Sequence, residues 1–476
     1  MKVKLNQGEQ LLVLSLLLLL PATCTFLKYS QGMGWDLPGH IAEADIYRNE
    51  ILPDVYGYNP YFLFGYPIHL YPPLSRILLA LFSYALGTVL AAKLLLAFGV
   101  LCSPLALHFM LRKNGYDSFP SACACVLFSA FFATAAQSYE VSIKNAYYLG
   151  LFSYYSALPL VFLAIAYFNE NRRFSAALSA LALLFNTMLG AAAIAFSLAL
   201  SANSLLSRKW KQELSSGILY ALLLLLICAW WIAPFAEETI AKGNAGYHIP
   251  FDIGKIRNEN LAGLAAAAVA FFLSRNRQKG AFLAVLFFAL LAARLILPSA
   301  YFGQASWFEY SSGTLGCIAV AMLFFKKDRF FTSLYAGFLL AYFSATLSLV
   351  ILSGLNNAFL LPIVHAYRVS GFISVLDFAA IGLAAASLLG KRAGIACAAL
   401  AAILCAAACV SPSNELSFYL HQDEAPYSYN FSGLQTGQGR AIMAGNLDPG
   451  MPHTAYDEYF MQTGKPTVRG LFVEQA

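Results

Sequence analysis

Trp35-Asp36-Leu37-Pro38-Gly39-His40 opens, and Gly65-Tyr66-Pro67-Ile68-His69-Leu70-Tyr71-Pro72-Pro73-Leu74 closes, a polar stretch near the start of an otherwise apolar chain. Five carboxylates (Asp36, Glu43, Asp45, Glu50 and Asp54) and two of the seven histidines lie within it, among closely spaced Tyr, Phe, Gly and Pro. Long apolar runs surround it on both sides. A chain embedded in lipid rarely carries such a loop only as a connection, so this stretch is read as the candidate active site.

Composition sets the class. Of 476 residues, 59% are hydrophobic and only 11% charged, with a mean hydropathy of +0.64. A soluble fold could not hide that much apolar surface, and a polytopic helical membrane protein is expected. The formal charge of +6 needs no nucleic-acid partner. The nine cysteines sit in or beside apolar runs and imply no disulfide framework. There is no zinc motif, Walker loop, Rossmann fingerprint or nucleophile elbow.

The basic residues report topology. They recur at helix ends as Arg112-Lys113, Arg172-Arg173, Arg208-Lys209 with Lys211, Arg275 and Arg277 with Lys279, Lys326-Lys327 with Arg329, and Lys391-Arg392. If all are cytoplasmic, each interval between them crosses the membrane an even number of times. Spans are expected near 9–28, 92–111, 119–136, 147–167, 174–187, 189–206, 216–235, 260–274, 280–297, 311–325, 331–353, 371–390 and 393–411. The N-terminus is then inside and the C-terminus outside, with a retained N-terminal helix. Only 34 residues separate Arg173 from Arg208, which forces a tight turn near Asn186-Thr187. Pro73 to Leu86 would break the parity as a full span, and reads as a re-entrant or interfacial helix on the outer face. The outer segments are then 29–91, about 137–146, 236–259, 298–310, 354–370 and the tail from residue 412. No inverted repeat of the transporter kind is visible.

Asp36 and His40 are four apart, which puts them one turn apart on the same face of a helix. Pro38 suits the first turn of a helix beginning after Asp36. Asp36 then reads equally as an N-cap and as a general base at the lipid–water boundary. Leu37 to Leu52 reads as a short amphipathic helix, its charges Glu43, Asp45, Arg48 and Glu50 on a solvated face. The aromatic turns around Tyr58, Tyr61 and Tyr66 suit either a sugar-stacking platform or interfacial anchoring.

The Asp36-x-x-x-His40 pair, with Pro60-Tyr61, Phe64-Gly65-Tyr66-Pro67 and Tyr71-Pro72-Pro73-Leu74, resembles the first outer loop of polytopic GT-C glycosyltransferases. The nearest group is an uncharacterised set of membrane proteins labelled with a 6-pyruvoyl-tetrahydropterin synthase-related domain. This resemblance implies an all-α, GT-C-like bundle of about thirteen transmembrane helices over residues 1–411, with an extracytoplasmic tail over 412–476 that is a truncated or reduced outer domain. Members of the group place a His at the tight turn, where this chain has Asn186-Thr187.

The same resemblance gives Asp36 the role of catalytic base or metal-associated carboxylate, with His40 beside it and Glu140 of the next outer loop as a second acid. Asp36 and Glu140 would hold a magnesium or manganese ion. It implies a polyprenyl-phosphate-linked sugar as donor, the lipid bilayer as its medium, and a glycan, lipid or protein acceptor at the outer face of the cell membrane. Arg76, Arg294 and Arg368 are the candidate cations for the donor phosphate, and Tyr61, Tyr66 and Tyr71 for the sugar. Asp377, within an apolar span, is expected to pair with a basic group. Two other classes stay open: a transporter or lipid-linked-glycan flippase, and a cell-envelope assembly protein.

Overall fold

The computed structural model describes residues 5–28, 37–53, 57–59, 66–67, 71–134, 142–143, 146–147, 150–205, 210–242, 307–326, 328, 330–335 and 366–410. The chain is helical. In order, α1 spans Gln7–Lys28, α2 Leu37–Ile46, α3 Leu74–Leu86, α4 Thr88–Lys113, α5 Ser118–Thr134, α6 Phe152–Phe168, α7 Arg172–Phe185, α8 Thr187–Leu205 and α9 Trp210–Lys242. Then come α10 at Trp307–Phe325, α11 at Ala366–Leu388 and α12 at Lys391–Val410. A π-helical turn, Tyr47–Ile51, extends α2. Two-residue strands β1 (Tyr58–Asn59) and β2 (Tyr66–Pro67) pair antiparallel. The expected spans 260–274 and 280–297, and the tail from 412, lie outside the described residues.

Among the described residues, three helices are long and apolar enough to cross a membrane: Gln7–Lys28, Thr88–Lys113 and Lys211–Glu237. Shorter apolar helices fill several of the other expected spans. Local chemistry sets the helix ends. Asn6 and Glu9 exchange reciprocal bonds at the start of α1, Asn6 N–H donating to Glu9 Oε2 at 2.7 Å and Glu9 N–H to Asn6 Oδ1 at 3.0 Å. This satisfies two otherwise orphaned amides. The tight turn falls where the short interval requires it. Asn186 alone separates α7 from α8. Its N–H donates to the Ala182 carbonyl at 2.8 Å, and its Oδ1 accepts from Met188 N–H and Leu189 N–H at 3.1 and 3.2 Å. One side chain thus closes one helix and opens the next.

The basic helix ends gather at one end of the bundle. Lys113 pairs with Glu170 at 2.5 Å, Arg172 with Glu213, and the Tyr116 hydroxyl with both oxygens of Asp328 at 2.6 and 2.7 Å. Lys391 sits 5.9 Å from the Phe119 ring centre. These bonds join ends that the positive-inside rule assigns to one side. Deeper in the bundle, Tyr335 donates to Oδ1 of the buried Asp377 at 2.5 Å.

The other end carries α2 and α3, and α3 is inside out by the standards of a soluble helix. Ser75, Arg76 and Ser83 face inward with Leu79 and Ala80, while Leu81, Phe82, Tyr84 and Leu86 are exposed. An apolar outer face with polar groups turned inward is what lipid selects and water does not. With 13 residues the helix is about 20 Å long, in keeping with an interfacial segment. α2 departs from expectation. It is not an amphipathic helix with a solvated charged face, because every residue from Leu37 to Ala44 is buried. It packs against α3 and α4 instead of lying on the surface.

Gly150 makes that docking possible. Its φ is +74°, and a Cβ there would meet Leu37 Cβ at 2.5 Å and Leu37 N at 2.7 Å. Gly115 has a similar φ of +93° but nothing within 4 Å. Gly150→Ala is therefore expected to destabilise the protein by about 1–3 kcal/mol more than Gly115→Ala, which meets only backbone strain. Thermal melts of the two variants in detergent check this.

Candidate functional site

The site grows from one buried ion pair. Glu43 of α2 and Arg76 of α3 face each other at 3.3 Å, with side chains 0% and 1% exposed. Water cannot hydrate either group, so each charge relies on the other and on further polar contacts. Arg76 also lies over the Tyr71 ring, 4.7 Å from its centre. Tyr47, in the π-helical turn, is buried beside the pair, and burial holds its hydroxyl well above the ordinary tyrosine range. At the C-terminal end of α2, Thr88 donates to Asp45, and Arg48 lies 3.3 Å from the same carboxylate oxygen. The Tyr84 hydroxyl donates to the Arg48 carbonyl at 3.0 Å. The chain of contacts thus runs from α2 through the π-turn to both α3 and α4.

His40 occupies the next turn of α2, buried between Tyr71 and Phe152, with ring centres 6.1 and 5.7 Å away. Burial, with the Arg76 charge as the smaller cause, pushes its pKa down to about 3. The imidazole is therefore neutral at working pH. Tyr71 carries the cluster inward: its hydroxyl meets Ser153 Oγ of α6 at 2.8 Å, and Asn186 Nδ2 approaches the same Oγ at 3.5 Å. Tyr71 thereby ties the start of α3 to α6 and to the α7–α8 turn.

The structure brings His40, Arg76 and Tyr71 together. It also revises Arg76, which was expected to face a donor phosphate. Its guanidinium is enclosed and neutralised by Glu43. Asp36, Glu140, Arg294 and Tyr61 lie outside the described residues. Tyr66 falls in β2 and Arg368 in the first turn of α11. Glu43, Tyr47, Ser153 and Asn186 were not anticipated as members. Glu43 has a sequence signal in retrospect, since it is spaced three from His40 on the same helix. Among the described residues no group of three or more His, Cys, Asp or Glu is placed to hold a metal ion. Of the nearest acids, Glu43 faces Arg76, and Asp45 accepts from Thr88 and faces Arg48.

No family model matches the chain, nor does any curated protein. Two solved structures are similar to it. One is the archaeal oligosaccharyltransferase AglB from Archaeoglobus fulgidus, in complex with an inhibitory peptide and a dolichol-phosphate. The TM-score is 0.50 and the identity 14%, over 98% of this chain and 64% of that one. The other is the Archaeoglobus fulgidus oligosaccharyltransferase in complex with Zn and sulfate, with a TM-score of 0.47 and 15% identity over 97% of this chain and 62% of that one. This chain spans just under two thirds of the length of AglB. The AglB likeness shows the fold alone, that of a helical membrane protein.

Two outcomes follow from this geometry. Glu43→Gln or Arg76→Met alone leaves a buried charge without its main counter-charge, and each is expected to cost about 3–5 kcal/mol. The double variant Glu43→Leu/Arg76→Met should recover part of that loss, as a double-mutant cycle of unfolding free energies would read. For His40, the folded pKa lies below the model-peptide value of 6.5. Its contribution to stability is therefore present above pH 6.5 and lost as pH falls towards 3, at about 1.4 kcal/mol per pH unit. His40→Gln should flatten unfolding midpoints between pH 6 and pH 4 (roughly the range this linkage covers), whereas wild type falls steeply there.

Proposed function

We propose that this chain is an integral-membrane glycosyltransferase that moves a sugar from a lipid-phosphate carrier to an acceptor at the outer face of the cell membrane. The observation that carries this reading is the likeness to AglB over 98% of the chain, taken with the buried Glu43–Arg76 pair of α2 and α3 at the bundle end away from the described basic clusters. Asp36, the carboxylate just before α2 in the sequence, is the proposed base.

In the proposed step, Asp36 takes the proton of an acceptor hydroxyl or amide. The acceptor's freed electron pair bonds to the anomeric carbon from the side opposite the phosphate. The bond between that carbon and the phosphate oxygen breaks, and its electron pair leaves on the lipid phosphate, with inversion at carbon. Arg294 or Arg368 stabilises the departing phosphate. His40, neutral and enclosed, is a hydrogen-bonding and orienting group in this scheme. Tyr61, Tyr66 and Tyr71 are assigned to the sugar, with Tyr71 also anchoring the loop through Ser153. Magnesium or manganese, held by Asp36 and Glu140, would supply a Lewis acid beside the phosphate.

Membranes bearing Asp36→Asn, supplied with radiolabelled polyprenyl-phosphate sugars, should lose about 10²–10⁴-fold of sugar transfer. Full retention would remove the base assignment. Movement of the labelled lipid across liposomes, without any new glycosidic product, would instead establish a transporter.

A further inference from the structure

Lys93 belongs to none of the machinery described so far. It sits in the second turn of α4, five residues beyond Thr88, or about 7.5 Å along the helix axis. Its side chain is 2% exposed, and its Nζ has no hydrogen-bond partner among the described residues. The nearest described ring is Phe26, 5.6 Å from Nζ. Phe26 stacks on Tyr147 at 4.3 Å, and the Tyr147 hydroxyl meets Thr23 Oγ1 at 2.7 Å. A cation–π contact returns only part of the hydration that an ammonium loses on burial. A residue needed only for packing here would be Leu or Met. Three donors with no described acceptor point to a ligand that supplies one.

The surroundings favour an anion. Phe26 lies in the last turn of α1, and Thr88 opens α4, so Lys93 lies at the bundle end that carries α2 and α3. Tyr147 precedes by three residues Gly150, against which the first residue of α2 rests. The N-terminal turn of α2, with its positive dipole end, is therefore at the same end of the bundle. An ammonium and a helix N-terminus at the same end of the bundle suit phosphate oxygens, such as those of a lipid-linked substrate.

We infer that Lys93 is the cation of an anion subsite at this end of the bundle, and that it binds the phosphate of the lipid carrier. The subsite rests on the geometry, while the choice of lipid carrier rests on the glycosyl-transfer reading. Phosphate could also come from bulk phospholipid or from solution, and the experiment separates these sources.

Full-length protein in phosphatidylcholine nanodiscs is titrated with polyprenyl phosphate, with inorganic phosphate, and with phosphatidylglycerol. Wild type should bind polyprenyl phosphate most tightly, and Lys93→Met should weaken that binding about 10- to 100-fold. Lys93→Arg should retain most of it, and decides the matter if the methionine variant does not fold. Lys93→Met should melt at or above the wild-type temperature, because a lone buried charge has been removed. Wild-type affinity in Lys93→Met, or no binding of any phosphate by wild type, overturns the subsite. Equal binding of phosphatidylglycerol overturns the lipid-carrier assignment. Lysine-dependent binding without any sugar transfer sustains the subsite and removes the glycosyltransferase reading.

Discussion

The Glu43–Arg76 pair is the interaction on which the α2–α3 end of this protein depends. Two charges that would be solvated on the surface of a soluble protein are here removed from water altogether. Such a pair adds little to net stability compared with apolar residues of the same size, but losing one partner is severe. It therefore fixes one arrangement of α2 against α3 and penalises others. Tyr71, beneath the guanidinium, extends that constraint through Ser153 to α6 and Asn186. α2 is thus a docked part of the bundle, its buried side chains held in one arrangement against α3 and α4.

The two ends of the molecule do different work. One holds basic residues in exposed or half-exposed pairs such as Lys113–Glu170, whose energetic value is small and whose position reports orientation. The other holds enclosed ionisable groups: Glu43, Arg76, His40 and Lys93. Enclosed charge is expensive, and a membrane protein that keeps it at one end is spending stability on function there. α3 makes this arrangement compatible with lipid, since its apolar face points outward while Arg76 and two serines point in.

Much of the fold was legible from charge spacing. The short interval between Arg173 and Arg208 located the Asn186 turn, because two helices had to fit between residues of one side. Parity likewise set α3 apart from the spans, and the structure shows it as a short separate helix, Leu74–Leu86. The state of α2 was not legible. Its charges occur at spacings that fit a solvated face, and only the tertiary partner Arg76, 33 positions away in sequence, explains why Glu43 is inside. The pairing of Arg76 was not legible for the same reason: a cation in an apolar helix signals function or a counter-charge, and sequence does not say which. Lys93 went unnoticed because one lysine near the end of a long apolar run resembles an ordinary boundary residue.

The central claim is that the α2–α3 end of the bundle holds the donor phosphate and the reacting sugar. A structure of the full chain in nanodiscs, with a non-hydrolysable polyprenyl-phosphonate sugar, tests it most directly. The account predicts phosphorus density within hydrogen-bonding reach of Lys93, near the start of α2, with the sugar towards His40 and Tyr71. Density at the opposite end, among Lys113, Glu170, Arg172 and Glu213, would contradict it.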